Sequence, residues 1–316
     1  MTNERIWAFF TQFGNNMWAD PMERDGIHAF PQHIPDVYAS DHMRFDYDIF
    51  VDMTEKLQAA GANMIVLDMG EGIQYESHPE ISAVDAWSKE RFRAELNRLR
   101  SMGFEVIPKL NFSTCHDEWM GMMARMVSTP QYYRFCADVI DEITELFDHP
   151  RFFHIGMDEE GIECQRSYNL AVIRQGELWW HDFHYLVDCV EKRGARAWMW
   201  ADDVWHHRED FLAKMSREVL MSNWYYGDFA DPTRTEIAAY DLLDKHGFDQ
   251  IPTGSTWGTE DNFPETVRYC ESHLSREHTL GYLQVPWYPV TPERADRQYR
   301  SITQLAIARK LDIVRE

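Results

Sequence analysis

The chain is poor in the features that would place it in several large classes. Its five cysteines (Cys115, Cys136, Cys164, Cys189 and Cys270) are scattered, odd in number and never spaced as C-x-x-C. Neither a disulfide framework nor a structural zinc site is therefore expected. No run approaches the ~18 apolar residues of a membrane span. The stretch MTNERIWAFFTQFG carries charges of both signs around a short apolar run. It reads as neither a signal peptide nor an anchor, and a cytoplasmic location is expected. Basic residues are few: 31 Lys and Arg stand against 53 Asp and Glu, a formal charge of −22. Such a surface repels nucleic acid and anionic membranes, so neither is expected as a partner. There is no Ser/Gly/Pro-rich linker, no G-x-G-x-x-G after the first apolar run and no G-x-S-x-G elbow. An open dinucleotide-binding sheet and a serine nucleophile lose support accordingly.

What remains is a repeated unit, a short β-type apolar run followed by a segment of helical spacing. The runs centre near Ile6, Ile65, Val106, Ile155, Met199, Met221, Ile251 and Leu283. Between them, YDIFVDMTEKLQAAG puts Ile49, Met53, Leu57 and Ala60 on one stripe and stops at Gly61. SKERFRAELNRLRSMG opens on Ser88 and ends at Gly103, a helix from about Leu170 to Val190 ends at Gly194, and one from Ile237 to Leu243 at Gly247. Strands alternating with helices pair in parallel through long right-handed crossovers. Eight such units predict an α/β fold, a (β/α)8 TIM barrel, with residues 1–316 as a single domain. The irregular segment 14–45 is expected to fold over the barrel mouth.

In such barrels chemistry gathers where the strands end. Those ends carry carboxylates and tryptophans: Asp68 and Glu71; Lys109, Asn111 and His116; Asp158, Glu159 and Glu160; Trp200, Asp202 and Asp203; Trp224, Tyr226 and Asp228; Trp257; Trp287. Tryptophan faces stack on pyranose rings, and a carboxylic acid can protonate a glycosidic oxygen. A metal site built from His154, His206, His207, Asp202 and Asp203 lacks the usual spacings, and no metal is expected. His154 precedes Asp158 by about 13 Å if extended, and reads as an interior histidine. Cys115 beside His116 reads as a buried bystander. Glu160 and Glu163 suit an acidic first helical turn.

HIGMDEE at 154–160 resembles the H-x-G-G-D-E motif of glycoside hydrolase family 20, the β-N-acetylhexosaminidases. FEVIPKLNFSTCH, NMIVLDMGEG, WMWADD, NWYYGD and VPWYP are similar to that family's segments at strands three, two, five, six and eight. The resemblance implies removal of a terminal β-linked N-acetylhexosamine by substrate-assisted, retaining catalysis, with no cofactor and a carbohydrate as partner. It implies Glu159 as general acid, Asp158 as holder of the substrate's acetamide, and Tyr226 as donor to the acetamide oxygen. Trp200, Trp224, Trp257 and Trp287 would line the sugar site, with Asp68 and His116 behind Glu159. Asp228 would bind a hydroxyl, and Arg44, with Arg24 behind it, would bind the sugar. Each of the adjacent acids is expected to raise the other's pKa. The sequence departs from the family at Met157, which replaces a glycine, at Lys109 and Asn111, which replace acids, and at Pro289, which replaces the closing glutamate. These departures bear on substrate identity more than on reaction type. A conventional two-carboxylate glycosidase, pairing Glu159 with Asp202 or Asp203, and a non-catalytic sugar-binding barrel remain as alternatives. Gluco against galacto preference, the aglycone and the oligomeric state are left open.

Overall fold

The computed structural model describes residues 5–18, 39–166, 168 and 170–313. Its strands are β1 (Ile6–Gln12), β2 (Met64–Asp68), β3 (Glu105–Lys109), β4 (Phe152–His154), β5 (Arg196–Trp200), β6 (Leu220–Ser222), β7 (Thr253–Ser255) and β8 (Gly281–Val285). They form one parallel sheet in the order β6-β5-β4-β3-β2-β1-β8-β7. Bridges from Met221 to Gln250 and from Trp224 to Thr253 join β6 to the β7 side and close the ring. The expected (β/α)8 barrel is therefore the fold.

Strand periodicity sorts the core into two layers. Ala8, Phe10, Met64, Val66, Ile107, Phe152, Trp198, Trp200, Leu283 and Val285 share the barrel interior. Their odd-register neighbours, among them Phe9, Ile65, Leu67, Phe153, Ala197 and Met199, pack outward under the helices. Asp68, Lys109 and His154 continue the inward register of β2, β3 and β4, so polar groups enter the barrel where it opens towards the site.

The helices are α1 (Tyr47–Ala60), α2 (Lys89–Ser101), α3 (Pro130–Leu146), α4 (Ile162–Gln165), α5 (Glu177–Lys192), α6 (Asp203–His206), α7 (Arg208–Lys214), α8 (Thr235–Lys245), α9 (Asn262–His273) and α10 (Ala295–Ile313). Asp46, Ser88 and Thr129 cap α1, α2 and α3 by accepting from backbone N–H groups three residues on. Helix α1 ends at Gly61 in the left-handed region (φ 83°). Its buried stripe is Phe50, Met53, Thr54 and Leu57, rotated from the expected one: Ile49 and Ala60 lie only part-buried. Helix α5 begins at Glu177, later than its apolar spacing suggests, because the residue ahead of it, Gly176, takes non-helical angles (φ 55°, ψ −129°). Among the described residues no helix is long and apolar enough to cross a membrane. Residues 19–38 of the segment expected over the mouth, Arg24 with them, lie outside the described residues.

Candidate active site

A cavity of about 430 Å³ opens at the C-terminal ends of the strands, lined by Met17, Trp18, Asn111, His116, Asp158, Glu159, Trp224, Tyr226, Trp257 and Trp287. Its acids come from the segment after β4. The chain does not stay extended there. Gly156 and Met157 take positive φ values of 72° and 73°, and Glu159 one of 56°. These turns bring two consecutive carboxylates to one side, at the backbone cost typical of functional sites. A side chain at Gly156 has no room: a Cβ would lie 1.9 Å from Asn111 Oδ1.

Asn111 and His116, both following β3, hold the turn from across the barrel mouth. Asn111 Nδ2 donates to Asp158 Oδ1 (2.8 Å), and its Oδ1 accepts from the N–H groups of Ser113 (3.0 Å) and Met157 (3.3 Å). The Ser113 hydroxyl donates to the Asp158 carbonyl. His116 Nε2 lies 3.1 Å from Glu159 Oε2 and 3.3 Å from Asp158 Oδ2, so one imidazole nitrogen joins the two acids. Asp202, after β5, accepts from the backbone N–H of Glu159 through Oδ2 (2.8 Å) and from the Trp224 indole through Oδ1 (3.3 Å). Asp158 is buried, whereas the Glu159 carboxylate keeps 38% of its exposure and faces the cavity.

The electrostatics separate these groups. Burial alone would raise the Asp158 pKa, but the neighbouring His116 and Lys109 and the Asn111 hydrogen bond outweigh it and hold the carboxyl down, to about 2. The expected mutual raising is thus reversed at Asp158, because His116 and Lys109 together count for more than one neighbouring acid. Burial would lower the His116 pKa, yet Asp158 and Glu159 lift it well above the ordinary histidine value. Asp202 is pushed well up, by burial first and by the Asp158 charge second. Burial also raises Tyr226. Its hydroxyl oxygen accepts the Trp287 indole N–H (2.9 Å), which leaves the phenolic proton to be donated into the cavity.

Asp158, Glu159, Tyr226, His116, Trp224, Trp257 and Trp287, all singled out in the sequence, meet at this cavity. Four others lie elsewhere. Trp200 is fully buried in the barrel interior behind Trp287 (ring centroids 5.7 Å apart), since the inward register of β5 points it below the cavity. Asp68 pairs with the buried Lys109 ammonium (2.5 Å) instead of His116, whose Nδ1 has no partner among the described residues. Arg44 donates to the Asn15 carbonyl (3.0 Å), and Glu71 accepts from the N–H groups of Asn15 and Asn16. Together they fix the irregular segment after β1 that delivers Met17 and Trp18. Asp228 is exposed and accepts from Ala230 N–H (3.1 Å). Glu160 is no simple helix-start acid: it pairs with the buried Arg174 and accepts from Thr114 N–H (3.0 Å). His154 is interior, with Nδ1 accepting from Gly156 N–H (3.0 Å) and its pKa held well down by burial and by Lys109. His206 and His207 are exposed and apart from it.

Met17 and Trp18 carry no signal in the sequence, since nothing in the irregular stretch marks which residues turn inward. Asn111 and Asp202 were visible as strand-end polar residues, but their role as supports of the acid turn depends on contacts between distant loops.

No protein-family model matches the chain, and no curated protein matches it in sequence. Solved structures do. A Vibrio harveyi family 20 exo-β-N-acetylglucosaminidase bound to N-acetylglucosamine superposes with a TM-score of 0.66 at 14% identity, over 96% of this chain and 54% of that one. A Flavobacterium johnsoniae chitobiase gives 0.61 at 18% identity, over 83% and 46%. The fold is that of a family 20 glycoside hydrolase catalytic domain. The chain spans about half the length of these two proteins. A family 138 enzyme targeting pectin rhamnogalacturonan II also superposes on this chain, with a TM-score of 0.57 at 10% identity, over 96% of this chain and 38% of that one.

Proposed function

We propose that the chain is a glycoside hydrolase that removes a terminal β-linked N-acetylhexosamine by substrate-assisted, retaining catalysis. The observation that carries this reading is the convergence of Asp158 and Glu159 on His116, in a cavity that Tyr226 also lines and that Trp224, Trp257 and Trp287 wall.

Glu159, the more exposed acid, protonates the glycosidic oxygen as the C1–O bond breaks. The substrate's acetamide oxygen attacks C1 and closes an oxazolinium ring. Asp158, ionised by its cationic neighbours, accepts the acetamide N–H and stabilises the positive charge that forms there. Tyr226 donates its proton to the acetamide oxygen and aims it at C1. Glu159, now a carboxylate, takes a proton from the water that attacks C1, the ring opens and the configuration is retained. The indole faces pack on the sugar and exclude solvent.

A conventional pair of Glu159 with Asp202 has less support. Asp202 is buried outside the cavity lining, with each oxygen already accepting a hydrogen bond, and Asp203 is paired with His207 (2.8 Å). The discriminating assay sets a nitrophenyl N-acetylhexosaminide against the matching plain hexoside. Only the acetamido sugar should be cleaved, and Asp158→Asn should lower kcat by about 10²–10³. Cleavage of both sugars at similar rates supports the conventional pair, and cleavage of neither supports a binding protein.

A further inference from the structure

Two thiols lie beside the proposed acid, and the reaction makes no use of them. Cys115 Sγ, Cys164 Sγ and a Glu159 carboxylate oxygen all lie within 4.8 Å of one another. Among the described residues no other three His, Cys, Asp or Glu side chains come together in this way. Cys115 sits in the loop after β3. Its N–H donates to Ser113 Oγ (3.1 Å), and its carbonyl accepts from the Tyr168 hydroxyl (2.9 Å). Cys164 comes from α4, and both cysteines are free thiols. Cys115 is buried, while Cys164 and Glu159 are partly exposed, so the group has a fixed inner ligand and an approach from solvent.

We propose that Cys115, Cys164 and Glu159 form a binding site for a thiophilic divalent cation, with zinc the best fit, and that its occupancy withdraws Glu159 from the reaction. The donor set argues for this class. Two sulfurs and one oxygen suit zinc, whereas magnesium and calcium take oxygen ligands. Tetrahedral zinc, with bonds of about 2.3 Å to sulfur and about 2.0–2.2 Å to oxygen, wants ligand atoms closer than 4.8 Å by roughly 1 Å. Rotation of the two partly exposed side chains supplies that. Binding releases the thiol protons to solvent, and the fourth position stays open for a water. The bound carboxylate can then neither donate to a leaving oxygen nor take a proton from water. The inhibitory consequence rests on the proposed role of Glu159; the binding itself does not.

The experiment is a titration of the reduced, metal-free protein with cobalt(II), read by absorbance. One equivalent should produce tetrahedral d–d absorption and a thiolate-to-cobalt charge-transfer band, both bleached by zinc. Cys164→Ser and Cys164→Ala should each bind at least about tenfold more weakly with a diminished charge-transfer band. Glu159→Gln should keep the thiolate band and lose affinity. In parallel, zinc should inhibit hydrolysis reversibly by chelator, and Cys164→Ser, with ordinary activity in the absence of metal, should resist it at least about tenfold. A wild-type protein without the thiolate band, or Cys164 variants that titrate like wild type, overturns the site. Indifference of binding to Glu159→Gln overturns the shared ligand. The absorbance needs no turnover, so an inactive protein that binds cobalt as expected sinks the hydrolase reading alone, and an active one without the band sinks the metal site alone.

Discussion

At the scale of single residues, the site is organised around one imidazole. His116 sits between two carboxylates, and their charges outweigh the burial that would otherwise keep it neutral. Because its folded pKa is raised, its contribution to stability is complete below the free-histidine value of 6.5 and is lost as pH rises through the raised value. Asp158 behaves in the opposite sense: its contribution is present above 3.8 and is lost as pH falls towards about 2. Thermal melts taken from about pH 6 to about pH 10 should therefore show wild-type stability declining on the alkaline side. His116→Gln should be less stable throughout and should lack that decline. Parallel pH profiles for the two proteins would remove the imidazolium from this account. The chemical identity of the acids was readable from FFHIGMDEEG, since an apolar run ending in carboxylates asks for a reason. The lowered pKa of Asp158 was not, because the ions responsible, His116 and Lys109, arrive from another strand.

At the scale of elements, the eight strands were legible because each apolar run is short and bounded, and their inward register follows from alternation alone. The same alternation accounts for Trp200, which shares the inward face of β5 with Trp198 and so drops beneath the cavity instead of lining it. Turns were less legible. Met157 in the left-handed region could not be foreseen from a residue type that rarely goes there. It is retained with its side chain buried, Sδ 3.7 Å from an Arg174 nitrogen. Gly156 is the tighter constraint. Gly156→Ala combines a disfavoured φ with a collision against Asn111, the residue that holds Asp158. Strain and overpacking together should cost about 2–5 kcal/mol, read as a lower urea midpoint at unchanged m. Activity should fall further than stability at a temperature where the variant is still folded. Gly176→Ala is the control, with a similar positive φ and no atom within 4 Å of the added methyl; it should cost the backbone strain alone.

At the scale of the whole molecule, the barrel interior and the active site share a charge. Lys109 is completely buried, its ammonium 2.5 Å from Asp68, in a barrel interior whose other inward residues include Phe10, Val66, Ile107 and Trp200. That pair stands beneath the cavity, and the Lys109 charge helps to lower both Asp158 and His154. A buried ion pair is costly to desolvate, and deleting one partner strands the other. Lys109→Met should therefore destabilise the barrel by about 3–5 kcal/mol, while Lys109→Met with Asp68→Leu should recover most of that loss. If the pair served packing alone, the double variant would also recover activity. With Lys109 contributing to the field at Asp158, the double variant should instead regain its urea midpoint while the acid limb of kcat/KM moves to higher pH, since the Lys109 charge, one of the causes that hold Asp158 down, is then gone. Full recovery of the wild-type pH profile in the stabilised double variant would restrict Lys109 to the barrel interior and leave His116 and Asn111 as the groups that hold Asp158 ionised.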